Sequence, residues 1–297
     1  MKDDGYRLRI SVVIVTLRRP EPLHRTLESI RACRPSADEV IVVDADPEAA
    51  PLEASAGEEG AGPLIRHVRT SARLTRQRNI GIDEASGEVV VFLDDDVKVP
   101  NDLFGRLAET YSDAAVVGVT GRVEEPETTR RGGPGSRVRR LLLSDGSGRF
   151  TRYGYPRYVT DGAGPRDVEF MPGCFMSARR EAAAKVRFDE RLGAYALAED
   201  EDFSYRLSRL GRIVYLPDVV VVHEKLGFRS FDSRKFGRLV VRNRTYLFRK
   251  NFPQTRLARL QFGGLLLMLV GHRLVNREWR GALGVLEGAA RVVRGKS

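Results

Sequence analysis

The sequence predicts an α/β fold built on a doubly wound, mixed sheet that is flanked by helices. Three short apolar runs carry this prediction, at Arg9–Thr16, Val40–Val43 and Val89–Leu93. Each run is continuous rather than alternating, which is typical of strands buried on both faces of a sheet. Helical patterns separate the runs, and strands that alternate with helices form doubly wound sheets with right-handed crossovers.

The elements of the first half follow in order along the chain. After the first strand, Pro20 and Pro22 begin a helix, because proline is tolerated in a first helical turn. Leu23, Leu27 and Ile30 then have helical spacing. The rest of this half is a mobile surface loop at Asp46–Pro63, a strand at Leu64–Val68 and a helix at Ala72–Ala85.

The second half has shorter predicted elements. The segment Glu124–Arg166 is polar and lacks a clear period, so we assign it no element. The others are a helix at Asn101–Tyr111, a strand at Ala115–Val123, short strands at Val168–Met171 and Cys174–Ser177, helices beginning at Arg179 and near Ala198, short strands at Ile213–Leu216 and Val219–His223, and a helical tail at Phe236–Asn251 and Leu257–Val293.

Charge is distributed unevenly along the 297 residues. The net charge is +10, yet Arg229–Ser297 alone holds 16 Lys and Arg against 3 Asp and Glu. We therefore predict two parts, a folded domain at 1–228 and a basic, amphipathic helical extension at 229–297. The 42% of hydrophobic residues suffices for a sizeable core, and the 30% of charged residues argues against an integral membrane protein.

Cysteine usage and the first residues bear on the compartment. Cys33 and Cys174 lie far apart in the chain, which is neither a disulfide framework nor a metal-ligand pattern, and this favours a reducing compartment. The first residues lack the apolar region of a signal peptide, and no run reaches the ~18 apolar residues of a spanning helix. We expect a cytoplasmic protein, with peripheral attachment to the inner face of the cell membrane as a further expectation.

The central strand runs into three consecutive carboxylates, Asp94, Asp95 and Asp96. They lie at the carboxyl end of the strand, where open α/β sheets bind ligands. Three adjacent acids repel one another, so a positive group is expected, and a divalent cation that carries phosphates suits carboxylate oxygens. In a tight turn Asp94 and Asp96 aim at one point, which favours a metal site. A solvated acidic turn that only ends the strand is the alternative.

Further polar groups lie at predicted element ends. Asp44 follows the second strand, and His223 ends a late strand, where a neutral imidazole suits a metal. The run Glu199–Asp202 lies in a first helical turn, where the helix dipole and free amides favour negative charge. Taken singly, Asp44 would be a turn residue, His223 a structural hydrogen-bonding residue, and Arg78 and Asn79 a solvated helix face.

Five segments occur in an order that resembles the inverting family 2 glycosyltransferases of the GT-A fold. They are SVVIVTLRRPEPLHRTLESI, EVIVVDADP, LTRQRNIGIDEASGEVVVFLDDDV, FMPGCFMSARREAA and FDERLGAYALAEDEDFSYRLSRLG. The resemblance covers Ile10–Glu224 and implies a metal-dependent hexosyltransferase. Its donor would be a UDP-, GDP- or dTDP-linked sugar, its acceptor a hydroxyl of a glycan or a lipid-linked glycan, and its cofactor Mn²⁺ or Mg²⁺.

The resemblance also implies a role for each matching residue. Asp94 would face the ribose and sugar, whereas Asp96 and His223 would bind the metal. Asp200 would be the catalytic base, with Glu199 beside it. The residues implied to bind the nucleotide sugar are Thr16, Arg18, Asp44, Arg78, Asn79, Asp94, Asp95, Gly173 and Cys174.

The sequence departs from the family pattern at two places. Leu17-Arg18 replaces the usual Tyr-Asn after the first strand, and Asp44-Ala45-Asp46-Pro47 replaces the usual Asp-Asn-Gly-Ser after the second. Both places lie at the implied base contacts, so the donor stays open. Asp202 is a further aspartate in the second acid run, and we interpret it as a capping or structural residue.

The reaction itself requires two acidic sites. A divalent cation neutralises the charge that develops on a diphosphate leaving group, and arginines near the phosphates add to this. A carboxylate on the opposite face takes the proton from the attacking hydroxyl, and a single displacement inverts the anomeric carbon. The two acid runs at 94–96 and 199–202 supply the two sites.

The C-terminal tail has two interpretations. Residues 256–297 combine eight Lys and Arg with leucines and the single Trp, a composition typical of helices in a membrane interface. We expect the tail to bind an anionic membrane surface near a lipid-linked acceptor. The alternative is a set of helices that packs on the folded domain or on a second copy of the chain, as in a homodimer. Nucleic-acid binding is not expected, because aromatic residues are not interleaved with the cations.

Two other functions remain open at this point. A nucleotidyltransferase of similar fold would have a glycine-rich, basic loop after the first strand, and this chain has Leu17-Arg18-Arg19-Pro20 there. A degenerate, non-catalytic protein that binds a sugar nucleotide or serves as a scaffold is disfavoured by the intact acid pairs. A dinucleotide-binding dehydrogenase is disfavoured because no Gly-x-Gly-x-x-Gly follows the first strand.

Overall fold

A computed structural model describes residues 7–49, 62–126, 146–159, 164–193, 196–225 and 232–294. The chain forms two compact units, Met1–Glu127 with Gly162–Leu226, and Thr128–Asp161 with Gly227–Ser297. Residues 146–159 therefore group with the C-terminal helices, although they precede them by more than seventy positions. Most of the loop predicted at Asp46–Pro63 and much of the segment Glu124–Arg166 lie outside the described residues.

The first unit is built on a nine-stranded mixed sheet with the spatial order β3-β2-β1-β4-β8-β6-β9-β5, and β7 pairs with β9 outside this path. Its strands are β1 (Ile10–Thr16), β2 (Glu39–Asp44), β3 (Leu64–Arg69), β4 (Val89–Asp94), β5 (Val97–Lys98), β6 (Val116–Glu124), β7 (Arg166–Val168), β8 (Phe175–Arg179) and β9 (Arg212–His223). Its helices are α1 (Pro20–Arg31), α2 (Leu74–Glu84), α3 (Leu103–Thr110), α4 (Arg180–Val186) and α5 (Glu199–Leu207). The predicted mixed α/β sheet is confirmed.

The first four strands are parallel and bring their polar ends to one edge. Strand β1 lies between β2 and β4, with Thr16 opposite Asp44 and Val15 opposite Asp94. Every residue of β1 and β2 is buried, as the continuous apolar runs predict. The acids that follow these strands therefore emerge side by side from a rigid core.

Strand β9 differs from the prediction of two short strands. It is one strand of 12 residues, and it pairs in parallel with β6. The pairing shifts register in the middle, because Gly121 lies opposite Leu216 whereas the next residue, Arg122, lies opposite Val220. Proline has no N–H for the ladder, so Pro217 produces an irregularity rather than a break. The far end of β9 carries His223, which pairs with Val97 of β5.

Helix α2 buries polar rather than apolar side chains against the sheet. Its buried residues are Thr75, Gln77, Arg78, Asn79, Gly81 and Ile82. Gly81 permits the close approach, because a Cβ there would lie 2.2 Å from a methyl group of Val13. A polar face on a buried helix is costly unless each group is hydrogen-bonded, and this indicates a functional surface.

The second unit contains three helices, α6 (Ser233–Asn251), α7 (Arg256–Val275) and α8 (Trp279–Val293). The predicted helical tail is confirmed, with breaks after Asn251 and Val275. Among the described residues, residues 146–159 pack on α6 through the Phe150 ring, 5.8 Å from that of Phe252, and through Tyr155 beneath the Arg244 guanidinium. None of the described helices is long and apolar enough to span a membrane.

Candidate active site

The three consecutive acids occupy a turn between β4 and β5, and they differ in their surroundings. Asp95 and Asp96 are each 4% exposed, whereas Asp94 at the strand end is only partly buried. Asp95 Oδ2 accepts a hydrogen bond of 2.7 Å from the Thr16 hydroxyl at the end of β1. Burial raises the pKa of Asp95 to about 6, although Thr16 and a nearby guanidinium lower it.

A guanidinium supplies the positive charge that the sequence requires beside these acids. Arg19 Nη1 lies 2.5 Å from Asp95 Oδ1, and Arg19 Nη2 lies 2.7 Å from Asp96 Oδ2. The family resemblance implied a role at the nucleotide for Arg18 and none for Arg19, and that role of Arg18 remains a prediction. The Arg18 side chain is 62% exposed, and its Nε lies 3.6 Å from Asp46 Oδ1. The backbone of Arg18 has φ of +55°, so the chain turns sharply there and the following arginine faces the acids.

His223 joins two of the three acids. Its Nε2 lies 3.1 Å from Asp96 Oδ1 and 3.9 Å from Asp94 Oδ2. One ligand atom from each of these three residues lies within 4.8 Å of the others. Burial lowers the pKa of His223, but the Asp96 hydrogen bond and the two carboxylates outweigh it and raise that pKa. Asp96 has its pKa lowered to about 2, because contacts with His223 and Arg19 outweigh its burial.

The Asp94, Asp96 and His223 side chains fit a divalent metal ion. Two carboxylates and one imidazole are a suitable donor set for Mn²⁺ or Mg²⁺, with further positions left for water or phosphate oxygens. The sequence comparison implied that Asp94 faces the sugar and that Asp96 and His223 bind the metal. In the structure Asp94 lies beside Asp96 and His223, so the possible metal site has a second carboxylate in addition to the two ligands that the resemblance implied.

The second acid run begins helix α5, as predicted. Ala198 precedes the helix in a left-handed conformation, with φ of +69°. Asp200 Oδ2 accepts a hydrogen bond of 3.0 Å from the Gly173 backbone N–H, and Oδ1 accepts one of 2.9 Å from the Glu201 N–H. A Cβ at Gly173 would lie 3.3 Å from Asp200 Oδ2, so a residue without a side chain suits this approach.

One arginine joins the two acid runs. Arg78 of α2 is 2% exposed, and its Nη1 lies 2.7 Å from Glu199 Oε1. Its Nη2 donates to Asp94 Oδ1 at 3.2 Å and to the Gly173 carbonyl at 2.9 Å. Burial and the neighbouring Asp200 raise the pKa of Glu199, although Arg78 lowers it. Arg78 is thus a structural link, which contradicts the alternative of a solvated helix face.

Asn79 is also buried, and its amide fixes the segment before α5. Its Nδ2 donates to the Phe188 carbonyl and to Glu190 Oε1, each at 3.0 Å. Its Oδ1 accepts from the Phe188 N–H at 2.8 Å. The structure therefore places Asn79 where it positions neighbouring backbone, and the role implied for it at the nucleotide remains a prediction.

Asp44 lies at the end of β2, beside Thr16. Its Oδ1 accepts from the Asp46 N–H at 2.8 Å, and its Oδ2 lies 3.3 Å from His67 Nε2. Gln77 of α2 donates to the Thr16 carbonyl at 3.1 Å and to the Val43 carbonyl at 2.9 Å, which ties the ends of β1 and β2 together. Sequence reasoning missed His67, which lies outside the five quoted segments, and Gln77, which lies inside one of them but received no role.

Two further residues near the site are buried, and the role implied for Cys174 at the donor sugar remains a prediction. Cys174 is a buried free thiol, and burial raises its pKa well above the usual range, so it is neutral and poorly nucleophilic. The Asp202 side chain is fully buried, and its Oδ2 lies 2.6 Å from Arg206 Nη2. This ion pair agrees with the structural interpretation of Asp202.

Comparison with known proteins identifies the family. The sequence profile of glycosyl transferase family 2 matches residues 11–187. The chain belongs to glycosyl transferase family 2. The succinoglycan biosynthesis protein ExoM of Rhizobium meliloti (strain 1021) is 36% identical over 123 residues. This match spans 39% of the chain and 39% of ExoM.

Solved structures show the same GT-A fold at low sequence identity. The mannosyltransferase PcManGT of Pyrobaculum calidifontis, in complex with GDP-Man and Mn²⁺, has a TM-score of 0.55 and 17% identity, over 99% of this chain and 89% of that one. The S. aureus TarS fragment 1-349 with UDP-GlcNAc has a TM-score of 0.55 and 13% identity, over 97% of this chain and 93% of the TarS chain. GalNAc-T7 with UDP, GalNAc and Mn²⁺ has a TM-score of 0.55 and 19% identity, over 80% of this chain and 48% of the GalNAc-T7 chain.

Proposed function

We propose that this glycosyltransferase-family protein moves a sugar from a nucleotide-diphosphate donor to a hydroxyl of a glycan or lipid-linked acceptor, with inversion at the anomeric carbon. The observation that carries this proposal is the link through Arg78. Its guanidinium contacts Asp94 of the first acid run, Glu199 of the second and the Gly173 carbonyl between them. One rigid assembly thereby holds both of the acidic sites that the reaction requires.

Asp94, Asp96 and His223 would hold Mn²⁺ or Mg²⁺. When bound, the ion supplies charge neutralisation for the diphosphate leaving group. Similar structures support this choice, because PcManGT is in complex with GDP-Man and Mn²⁺, and GalNAc-T7 with UDP, GalNAc and Mn²⁺. The Arg19 guanidinium lies beside the same carboxylates and can stabilise phosphate charge electrostatically.

Asp200 is the group we assign as the catalytic base. Backbone amides hold its carboxylate and orient it toward a proton from the acceptor hydroxyl. A single base on the acceptor side corresponds to a single displacement, which inverts the anomeric carbon. Thr16 and Asp44 end adjacent strands and are the groups we assign to the nucleotide.

The donor and acceptor classes rest on the relatives. The similar structures are described with UDP, GDP-Man or UDP-GlcNAc, so we expect a UDP- or GDP-linked sugar before a dTDP-linked one. ExoM is named for succinoglycan biosynthesis, which supports a polysaccharide or its precursor as acceptor. The family match favours this activity over a nucleotidyltransferase.

A thermal-shift screen tests the donor site directly. Nucleoside diphosphates, nucleotide sugars and nucleoside triphosphates are each added with and without Mn²⁺, because a ligand of the folded state raises the melting temperature by mass action. A metal-dependent shift with one nucleotide sugar, lost in Asp96→Asn, supports the proposal and names the donor. A shift with triphosphates alone supports a nucleotidyltransferase, and no shift with any of them supports a scaffold protein that binds no nucleotide.

We also propose that helices α7 and α8 dock on an anionic membrane surface. Nine of the twelve large apolar side chains that are exposed among the described residues belong to these two helices, including Leu260 (74%), Leu267 (71%), Trp279 (66%) and Val293 (87%). Exposed apolar residues concentrated in one place mark interaction sites, and interfacial helices combine them with cations. Docking there would bring the enzyme to a lipid-linked acceptor.

Vesicle flotation tests this membrane contact. Leu267→Gln with Trp279→Gln should reduce flotation with phosphatidylglycerol vesicles, since both side chains are exposed and the fold does not depend on them. Leu64→Gln with Leu210→Gln is the matched control, because these exposed leucines belong to the first unit. Equal flotation of the two double variants would refute the docking proposal.

A further inference from the structure

A basic groove lies between α6 and α8 in the second unit. It has a volume of about 240 Å³ and is lined by Lys235, Arg238, Leu239, Arg242, Gly288, Arg291 and Val292. Four of these seven residues are cationic, and none is acidic. A neighbouring hollow shares two of the cations and adds two more, being lined by Arg234, Arg238, Glu287, Ala290, Arg291 and Arg294.

Glycines explain why two helices contribute cations to one groove. A Cβ at Gly284 would lie 2.1 Å from the Arg234 carbonyl oxygen, and a Cβ at Gly237 would lie 2.5 Å from the Gly281 carbonyl oxygen. A Cβ at Gly288 would lie 2.8 Å from Val241 Cβ. The two backbones are therefore nearly in contact, and the long side chains of both helices must converge along the seam.

Acidic side chains neutralise only some of the cations between α6 and α8. Glu287 accepts hydrogen bonds from Arg238 Nη1 at 2.8 Å and from Arg234. These contacts hold the pKa of Glu287 at about 2, so it is ionised. No carboxylate of the described residues lies within 4 Å of Lys235 Nζ or of the Arg291 guanidinium, although the Lys235 backbone N–H donates to Asp232 Oδ1 at 3.0 Å. The groove thus keeps an excess of positive charge at neutral pH.

The apolar part of the groove distinguishes between anionic ligands. Leu239 and Val292 line it together with the cations, and both are partly exposed. Helix α8 also carries Leu286 and Val293, seven residues apart and hence on one face, and both are exposed. A free inorganic phosphate would use only the cations, whereas an amphiphile with a phosphate headgroup would use both kinds of surface.

We infer that the groove between α6 and α8 binds the phosphate group of an anionic phospholipid. Arginine guanidinium groups recognise phosphate oxygens through paired hydrogen bonds, and Arg238, Arg242 and Arg291 present three of them around one hollow. This site includes residues before 256, outside the tail that the sequence assigned to the membrane. The inference rests on the membrane contact proposed above, and it is independent of the glycosyltransferase chemistry.

The single tryptophan provides the measurement. Trp279 is 66% exposed on α8 and is the one Trp of the 297 residues, so its fluorescence reports docking of the second unit in the whole 297-residue chain. The protein is titrated with phosphatidylcholine vesicles with and without phosphatidylglycerol. We expect Lys235→Gln with Arg291→Gln to weaken partition onto the anionic vesicles by roughly 30-fold, about 5-fold for each cation. The control is Arg31→Gln with Lys185→Gln, which removes the same charge from two exposed positions of the first unit. We expect this control to change partition onto the anionic vesicles by less than about 2-fold.

Each result has one meaning. Wild-type protein that docks equally on both kinds of vesicle, or groove and control variants that behave alike, overturns the headgroup site. Tight binding of inorganic phosphate or pyrophosphate at the groove, without preference for the anionic vesicles, assigns the site to a free phosphate and also overturns it. The thermal-shift screen with nucleotide sugars is run on the same variants. It fails only if the glycosyltransferase proposal fails, because the groove residues lie in the second unit.

Discussion

Arg78 and Glu199 form a buried ion pair across 121 positions of sequence, with Nη1 2.7 Å from Oε1. Arg78→Ala would leave the Glu199 carboxylate buried without its counter-ion, and breaking such a pair costs about 3–5 kcal/mol. We expect the free energy of unfolding to fall by that amount in urea denaturation. Arg76→Ala, on the exposed face of the same helix, should change it by less than about 0.5 kcal/mol. Similar losses in both variants would contradict the role given to the ion pair.

Asp200→Asn keeps the shape of the side chain but removes the base. We expect the rate of sugar transfer to fall by about 10²–10⁴-fold, with binding of the nucleotide sugar retained. Asp202→Asn, two positions later, is the comparison. It weakens the ion pair with Arg206, so we expect it to lower the melting temperature but to leave kcat close to the wild-type value. Wild-type turnover in Asp200→Asn would show that the base lies elsewhere.

His223 is expected to bind the metal directly. His223→Ala should weaken Mn²⁺ binding, followed by electron paramagnetic resonance in the presence of nucleoside diphosphate, by roughly tenfold or more. His24→Ala removes an exposed histidine of α1, 65% exposed at its side chain, and should leave the affinity unchanged. Unchanged affinity in His223→Ala would limit the metal ligands to the acid run.

Gly284 is expected to be essential to the second unit. Gly284→Ala places a Cβ against the backbone of Arg234, and overpacking of this kind costs about 1–3 kcal/mol. The same substitution at Gly263 of α7 meets nothing within 4 Å and should stabilise the helix by about 0.5–1 kcal/mol. Chemical denaturation of both variants gives the comparison, and effects of the same sign would refute it.

Glu39 gives the fold a predictable pH dependence. Burial raises its pKa, but hydrogen bonds from Ser86 and Ser11 and the Arg66 guanidinium outweigh it and hold the pKa below 4.5. A carboxyl group with a lowered pKa stabilises the folded state above its unfolded pKa, and this stabilisation is lost as the pH falls through the folded pKa. Glu39→Gln should therefore be most destabilising at neutral pH, with a difference from wild type that shrinks below about pH 4.5.

Denaturation curves at a series of pH values measure this difference. Glu181→Gln, on an exposed position of α4, is the control and should show a small effect at every pH. A Glu39→Gln difference that stays constant from neutral to acidic pH would contradict the assignment.

Sequence patterns predicted the sheet and much of the site, because both are local signals. Apolar runs identified the buried strands, and acids placed directly after a strand had to emerge at its carboxyl end. The acids that the structure brings together at this edge therefore follow strands in the sequence, while their functional roles remain predictions. The divided strand at 213–223 was wrong, because proline and aspartate signal a break but cannot show that a long parallel partner continues past it.

Other features depended on contacts that spacing cannot specify. Motif position gave Arg18 a role at the nucleotide and gave Arg19 none, and only the backbone turn at φ of +55° brings Arg19 to Asp95 and Asp96. The partner of Arg78 lies 121 positions away, and no local pattern joins the two. Similarly, nothing in the composition of residues 146–159 links them to the C-terminal helices.

The register shift in β9 determines the face of the sheet on which the His223 side chain lies. Three residues of β9 have no counterpart in β6, because Leu216 and Val220 pair with consecutive residues. Side chains alternate between the faces of a strand, so an odd number of extra residues reverses the face shown by everything that follows. Loss of one residue there would turn His223 away from Asp96, whereas loss of two would preserve its face. The length of this small irregularity, rather than its composition, therefore decides whether the imidazole reaches the acids.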